Sequence, residues 1–78
     1  MIDVFLTDIY TLAAGIYAVE TWNEYEGQYE YYLFKPGRPL VPLMGLLPPE
    51  RFSETQLQRL YEHGHFDNLI QKNFTEGG

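Results

Sequence analysis

The side chains that could do chemistry are few. Ser53 is the only serine, so a serine nucleophile would have to be this residue. Its setting, Phe52-Ser53-Glu54-Thr55-Gln56-Leu57, instead reads as a capping box with a hydrophobic staple. In that arrangement Ser53 caps the amide of Gln56, Gln56 reaches back to Ser53, and Phe52 packs on Leu57. A catalytic triad would also need a positioned base and an oxyanion hole, and neither has a sequence counterpart. His63 and His65 flank Gly64, with Glu62 and Asp67 nearby, a set that could ligate a metal. Zinc sites need three or four convergent ligands, whereas a histidine pair where a helix ends is explained by the helix dipole. Glu20 and Glu30 could form a carboxylate pair for acid and base work, but only in a pocket that separates their pKa values. The chain is therefore expected not to be an enzyme and to need no cofactor or metal.

What remains is Gly15 to Phe34, GIYAVETWNEYEGQYEYYLF, where aromatic residues alternate with glutamates and no positive charge appears. Tyrosine is an ordinary sheet residue and glutamate an ordinary solubilising one. Yet Trp22, Tyr25, Tyr29 and Tyr32 are many large side chains for one small core, and interface centres are enriched in Trp and Tyr. Glutamates around such anchors would steer and orient a basic partner. The candidate partner-binding residues are Glu20, Trp22, Glu24, Tyr25, Glu26, Glu30 and Tyr32.

Composition bounds the possibilities. With 78 residues the chain is read as a single small domain, residues 1–78. It has no cysteine, so neither a disulfide nor a thiolate metal site can staple it. At 45% hydrophobic and 17% aromatic, it has the large side chains that a core held by packing alone requires. The net charge of −6 is unevenly placed: Asp3, Asp8, Glu20, Glu24, Glu26 and Glu30 all precede Lys35, the first basic residue. Beyond it, Lys35, Arg38, Arg51, Arg59 and Lys72 balance Glu50, Glu54, Glu62, Asp67 and Glu76. A nucleic-acid binder needs a basic stripe, so direct binding to DNA or RNA is not expected, nor is binding to anionic membranes. A basic protein surface is the expected partner. Apolar runs are short, and Asp3 and Asp8 stand where a signal peptide carries Lys or Arg, which predicts a soluble cytoplasmic protein.

The elements that must position these residues follow from spacing. Ile2, Phe5, Leu6, Ile9, Leu12 and Ala13 recur at intervals of three and four and predict an amphipathic helix over residues 2–14, ended by Gly15 in a left-handed conformation. The competing reading is a strand, because Ile, Val, Phe, Thr and Tyr also favour strands. Residues 16–22 and 29–34 predict an antiparallel hairpin with Gly27 in its loop. A three-residue loop at Tyr25–Gly27 would pair Thr21 with Tyr31, Glu20 with Tyr32 and Val19 with Leu33. Tyr17, Val19, Thr21, Tyr29, Tyr31 and Leu33 would then form the core face. Ala18, Glu20, Trp22, Glu30, Tyr32 and Phe34 would form the outer one.

Lys35-Pro36-Gly37-Arg38 predicts a type II turn. Pro39, Pro42, Pro48 and Pro49 then exclude a regular helix up to Glu50, leaving an edge strand at Pro39–Leu43 or an irregular cover over the core. The capping box predicts a helix from Glu54 to about His63. Phe66, Leu69, Ile70 and Phe74 predict a second short helix, and Thr75–Gly78 should fray.

The expected fold is a small α+β domain: an N-terminal helix, an antiparallel β-hairpin or three-stranded sheet, and two short C-terminal helices. The expected function is that of a non-enzymatic, acidic protein-interaction module. In size, acidity and lack of catalytic residues the chain resembles phage-encoded inhibitors of bacterial defence systems, including anti-CRISPR and DNA-mimic antirestriction proteins. The resemblance is one of kind, without a shared motif, and it implies a protein that blocks a basic or nucleic-acid-binding target in the host cytoplasm. The rival reading is a self-associating accessory or structural protein, with a homodimer core formed by a sheet edge and Leu40–Leu47.

Overall fold

The computed structural model describes residues 4–74. Four antiparallel strands, β1 (Val4–Ala13), β2 (Ile16–Asn23), β3 (Gln28–Phe34) and β4 (Val41–Pro42), lie side by side in chain order. Helices α1 (Glu54–Glu62) and α2 (Asp67–Phe74) follow. The expected N-terminal helix is thus corrected: Val4–Ala13 is a strand, and positions 2 and 3 lie outside the described residues. The expected two- or three-stranded sheet has four strands.

The error at β1 has an identifiable cause. β1 pairs with β2 through Val4↔Asn23, Phe5↔Trp22 and Leu6↔Thr21, then through Asp8↔Glu20, Ile9↔Val19, Tyr10↔Ala18 and Thr11↔Tyr17, and finally Ala13↔Ile16. Register shifts between Leu6 and Asp8 and between Thr11 and Ala13 insert one extra residue each. A bulge resets the in-and-out alternation of a strand. Two of them convert a period of two into apolar intervals of three and four that imitate a helix. Gly15 is left-handed as expected (φ 80°), but it closes the β1–β2 turn rather than a helix.

The hairpin forms one residue out of the expected register: Ala18 pairs with Leu33, Val19 with Tyr32, Glu20 with Tyr31, Thr21 with Glu30 and Trp22 with Tyr29. The loop therefore spans residues 24–27. Asn23 sets its length: its side-chain oxygen accepts the Glu26 N–H (3.0 Å) and its carbonyl accepts the Gly27 N–H (2.8 Å), a local Asx-type closure. Because strand side chains alternate, the slip exchanges the two faces of β3 relative to β2. Glu20 and Glu30 consequently lie on opposite faces, and Tyr17 and Val19 leave the face that carries Tyr31 and Leu33.

The core lies between the helices and the face bearing Ala18, Tyr31 and Leu33, where these residues pack with Val41, Leu43, Phe52, Leu57, Phe66 and Phe74. Each fully buried Leu or Phe side chain contributes about 1.5–3 kcal/mol relative to exposure. β4 is the predicted edge strand in shortened form, and Val41 and Leu43 are buried while Leu40, Met44 and Leu46 remain about half exposed. The turn at Lys35–Arg38 closes with Arg38 N–H donating to the Lys35 carbonyl (3.0 Å) and Gly37 at φ 86°. Lys35 Nζ and Arg38 Nη1 donate to the carbonyls of Phe74 and Asn73 (3.3 and 3.4 Å), which ties this turn to the C-terminus of α2. α1 begins at the capping box, with Gln56 N–H donating to Ser53 Oγ (3.1 Å) and Ser53 N–H to Gln56 Oε1 (2.8 Å).

Candidate functional site

The seven expected partner-binding residues do not share a surface. Glu20 is completely buried and Glu30 is 7% exposed. Trp22 shares the helix-packed face with Glu20, Tyr29 and Tyr31, while Tyr32 and Glu30 lie on the opposite one. Both of these aromatic residues are half-buried. Only Glu24, Tyr25 and Glu26, on the β2–β3 turn, are exposed together, Tyr25 at 85%.

Glu20 is the hub of a polar cluster set into the helix-packed face. Its Oε2 accepts a short hydrogen bond from the Tyr31 hydroxyl (2.6 Å), and its Oε1 lies 2.8 Å from Thr7 Oγ1. Tyr10 Oη is 3.5 Å from Oε2, and Arg51 Nε closes the carboxylate at 3.6 Å from the loop that leads into α1. The Tyr31 hydroxyl also accepts the Phe52 N–H (2.7 Å). Thr7 is the extra residue of the first β1 bulge, so that irregularity aims a hydroxyl at the carboxylate. The cluster joins β1, β2, β3 and the segment before α1. Among the described residues no buried side-chain polar atom lacks a hydrogen-bond partner. A carboxylate satisfied from every side has the character of a tie, because acid or base work would require a free path to a substrate. Burial, and then the adjacent Glu20 carboxylate, push the Tyr31 phenol well above its ordinary value. Burial and Glu20 also raise the Tyr10 phenol, and Glu20 raises the exposed Arg51 guanidinium further.

Glu30, on the other face, accepts from Asn23 Nδ2 (3.0 Å) and Gln28 Nε2 (3.3 Å). Its burial raises no conflict because two amides beside the turn satisfy it. The Tyr32 phenol is raised by burial and then by Glu30.

Beneath the exposed turn lies an aromatic base. Trp22 and Tyr29 meet edge to face at 4.9 Å, Phe5 is the cross-strand neighbour of Trp22, and the Arg51 guanidinium lies 4.6 Å from the centre of the Tyr29 ring. Tyr29 also lines a groove of about 310 Å³ with Leu43, Met44, Leu47 and Pro48. The Trp22–Tyr29 pair is thus one pairing step from Asn23–Gln28, the pair from which the turn carrying Glu24, Tyr25 and Glu26 extends.

Ser53 is held in the cap, and His63 and His65 are exposed. Among the described residues no group of three or more His, Asp or Glu side chains could hold a metal ion, and no helix is long and apolar enough to cross a membrane. Arg51, Thr7, Tyr10 and Phe5 had no place in the candidate site read from sequence, Phe5 having been placed on the apolar side of the expected helix. Arg51 is the one that spacing could have flagged, as the first cation after Arg38 and next to the buried Phe52. No family model, curated protein or solved structure matches this chain.

Proposed function

We propose that the protein is a non-enzymatic inhibitor that presents the acidic turn Glu24-Tyr25-Glu26 to a basic protein surface and occludes it. The observation that carries this reading is Tyr25, a large aromatic side chain 85% exposed between two exposed glutamates on a turn closed by Asn23. An exposed tyrosine is a low-entropy anchor, and flanking charges raise the association rate with a basic target. Trp22 and Tyr29, the pair next to Asn23–Gln28 at the base of the turn, would extend the contact area. The acidity of the chain before Lys35 adds a long-range field of the same sign. The target class is a basic or nucleic-acid-binding bacterial defence protein, as for phage-type inhibitors of the anti-CRISPR kind, and the place of action is the host cytoplasm. Imitation of a DNA duplex is the less supported mode, since it needs a row of exposed carboxylates and Glu20 and Glu30 are buried.

The test is capture from bacterial lysate on the immobilised wild-type protein, a Glu24→Lys/Glu26→Lys variant and Tyr25→Ala, each at low and high salt. The expected outcome is a basic protein retained by the wild type at low salt, reduced about tenfold by the charge reversal and weakened by high salt. Tyr25→Ala should weaken it by about 2 kcal/mol, as loss of an interface anchor does. All three proteins should melt alike, because these side chains are exposed. Equal retention by all three at both salt concentrations overturns the reading. Reversal of Glu20 or Glu30 is unsuitable as a test because it would place a cation inside a satisfied polar cluster.

A further inference from the structure

β3 is left partly unpaired along the edge away from β2. β4 has two residues and pairs with β3 only at Tyr32 and Leu33. One further bond, from Leu43 N–H to the Tyr31 carbonyl (2.8 Å), shows that the backbone polar groups of Tyr31 point away from β2. By the alternation of an antiparallel ladder those of Tyr29 point the same way. Leu43 does not return the bond: its carbonyl accepts from the Leu46 and Leu47 N–H groups (3.0 and 3.1 Å), and the chain turns off the sheet. Among the described residues the Tyr31 N–H and the N–H and C=O of Tyr29 are thus left without a hydrogen-bond partner, although Tyr31 is only 3% exposed. Such groups are uncommon in a nearly buried strand, where each costs about 1–3 kcal/mol unless something satisfies it. They lie along one wall of the groove of about 310 Å³, and the segment that turns away, with Leu43, Met44, Leu47 and Pro48, forms the other.

We infer that this groove receives an extended, basic peptide segment of a partner protein, which adds itself to the β3 edge as a short strand. The backbone of that segment satisfies the three open polar groups at the spacing a strand provides, and its apolar side chains rest on Leu43, Met44 and Leu47. Hydrogen bonding argues against other occupants. An aliphatic ligand would pair with none of the three groups, and a proline-rich segment lacks the N–H that the Tyr29 carbonyl needs. Edge pairing with a second copy would bring a whole sheet to where the wall at residues 43–48 stands. Charge selects a basic segment, since the groove leads past Gln28 to Glu24 and Glu26 and past Pro49 to Glu50, all three exposed. Arg51, the cation beside Tyr29, is paired with Glu20. The inference deepens the proposed function and rests on it for the basic target, to which it adds the strand pairing.

The probe is a blocked hexapeptide of alternating lysine and valine, titrated to about 1 mM into the full chain and followed by amide resonances and hydrogen exchange. Two control peptides accompany it: the fully N-methylated form, which keeps the side chains but has no N–H, and a form with glutamate in place of lysine. The parent peptide should bind saturably, shift the Tyr29 and Tyr31 amides and slow the exchange of both. N-methylation should weaken binding at least about tenfold, as the loss of one or two main-chain hydrogen bonds does. Glutamate in place of lysine should weaken it by a similar factor. No binding, equal binding of either control peptide, or shifts confined to residues 24–26 overturns the inference, and the last of these leaves the acidic turn standing as a binding site. The Glu24→Lys/Glu26→Lys variant separates the two readings: binding at Tyr29 and Tyr31 that survives in it upholds the groove and counts against the turn.

Discussion

Glu20 illustrates how one side chain can be read correctly as unusual and wrongly as exposed. Its carboxylate is removed from water and replaced there by Tyr31, Thr7, Tyr10 and Arg51. Removing it would leave the Tyr31 hydroxyl only the longer bond to the Phe52 carbonyl (3.3 Å), the Thr7 hydroxyl only the backbone carbonyl of residue 20 (3.0 Å), and Arg51 without its counter-charge. Glu20→Ala should therefore cost about 3 kcal/mol in urea unfolding, within the range for breaking a buried charged cluster. Arg51→Ala should cost less than about 1 kcal/mol, since its side chain is 59% exposed and solvent screens the pair. Tyr31 adds a pH dependence of definite sign. Its phenol is raised in the folded state by burial and by Glu20, so its contribution is fully present below the unfolded value of about 10 and is lost as pH rises above it. Unfolding free energy should fall above about pH 10 with a slope approaching about 1.4 kcal/mol per pH unit per retained proton. Tyr31→Phe, less stable at neutral pH because the Phe52 N–H loses its acceptor, should show a shallower alkaline decline.

The elements differ in how locally they are determined. α1 is specified by adjacent residues: both hydrogen bonds of its capping box form, and Leu57 enters the core beside Phe52. Ser53→Ala should cost about 1 kcal/mol and leave the sheet unchanged, measurable as a lower denaturation midpoint at an unaltered slope. The β2–β3 turn is also local, but its control lies in Asn23. Gly27 holds φ 65° with open space around it, so Gly27→Ala should cost about 1 kcal/mol from backbone conformation alone, without a clash. β1 is the opposite case. Its ten residues carry an ambiguous pattern, and pairing with β2 resolves it.

The sheet uses one face for the core it shares with the helices, while on the other Val19, Thr21 and Glu30 are buried and Leu6 and Ile9 are exposed. The acidity of the chain gathers before Lys35 while Lys35 and Arg38 are turned to the end of α2.

By itself the sequence determined the features whose causes lie within a few residues: the Ser53–Gln56 cap and α1, the Pro36-Gly37 turn, and the left-handed Gly15 and Gly27. Those interactions close over at most four or five positions, so neighbours in the chain suffice to specify them. Tertiary structure alone decided that Val4–Ala13 is a strand, since its two bulges disguise the strand period and only β2 can pair its backbone. It also decided the hairpin register, and with it the fate of Glu20 and Glu30. Pattern constrains which residues alternate but leaves open which alternate set meets the helices. That choice was made by contacts distant in sequence, with Ala18 and Leu33 packed in the core and Glu20 bonded to Tyr31, which holds Phe52.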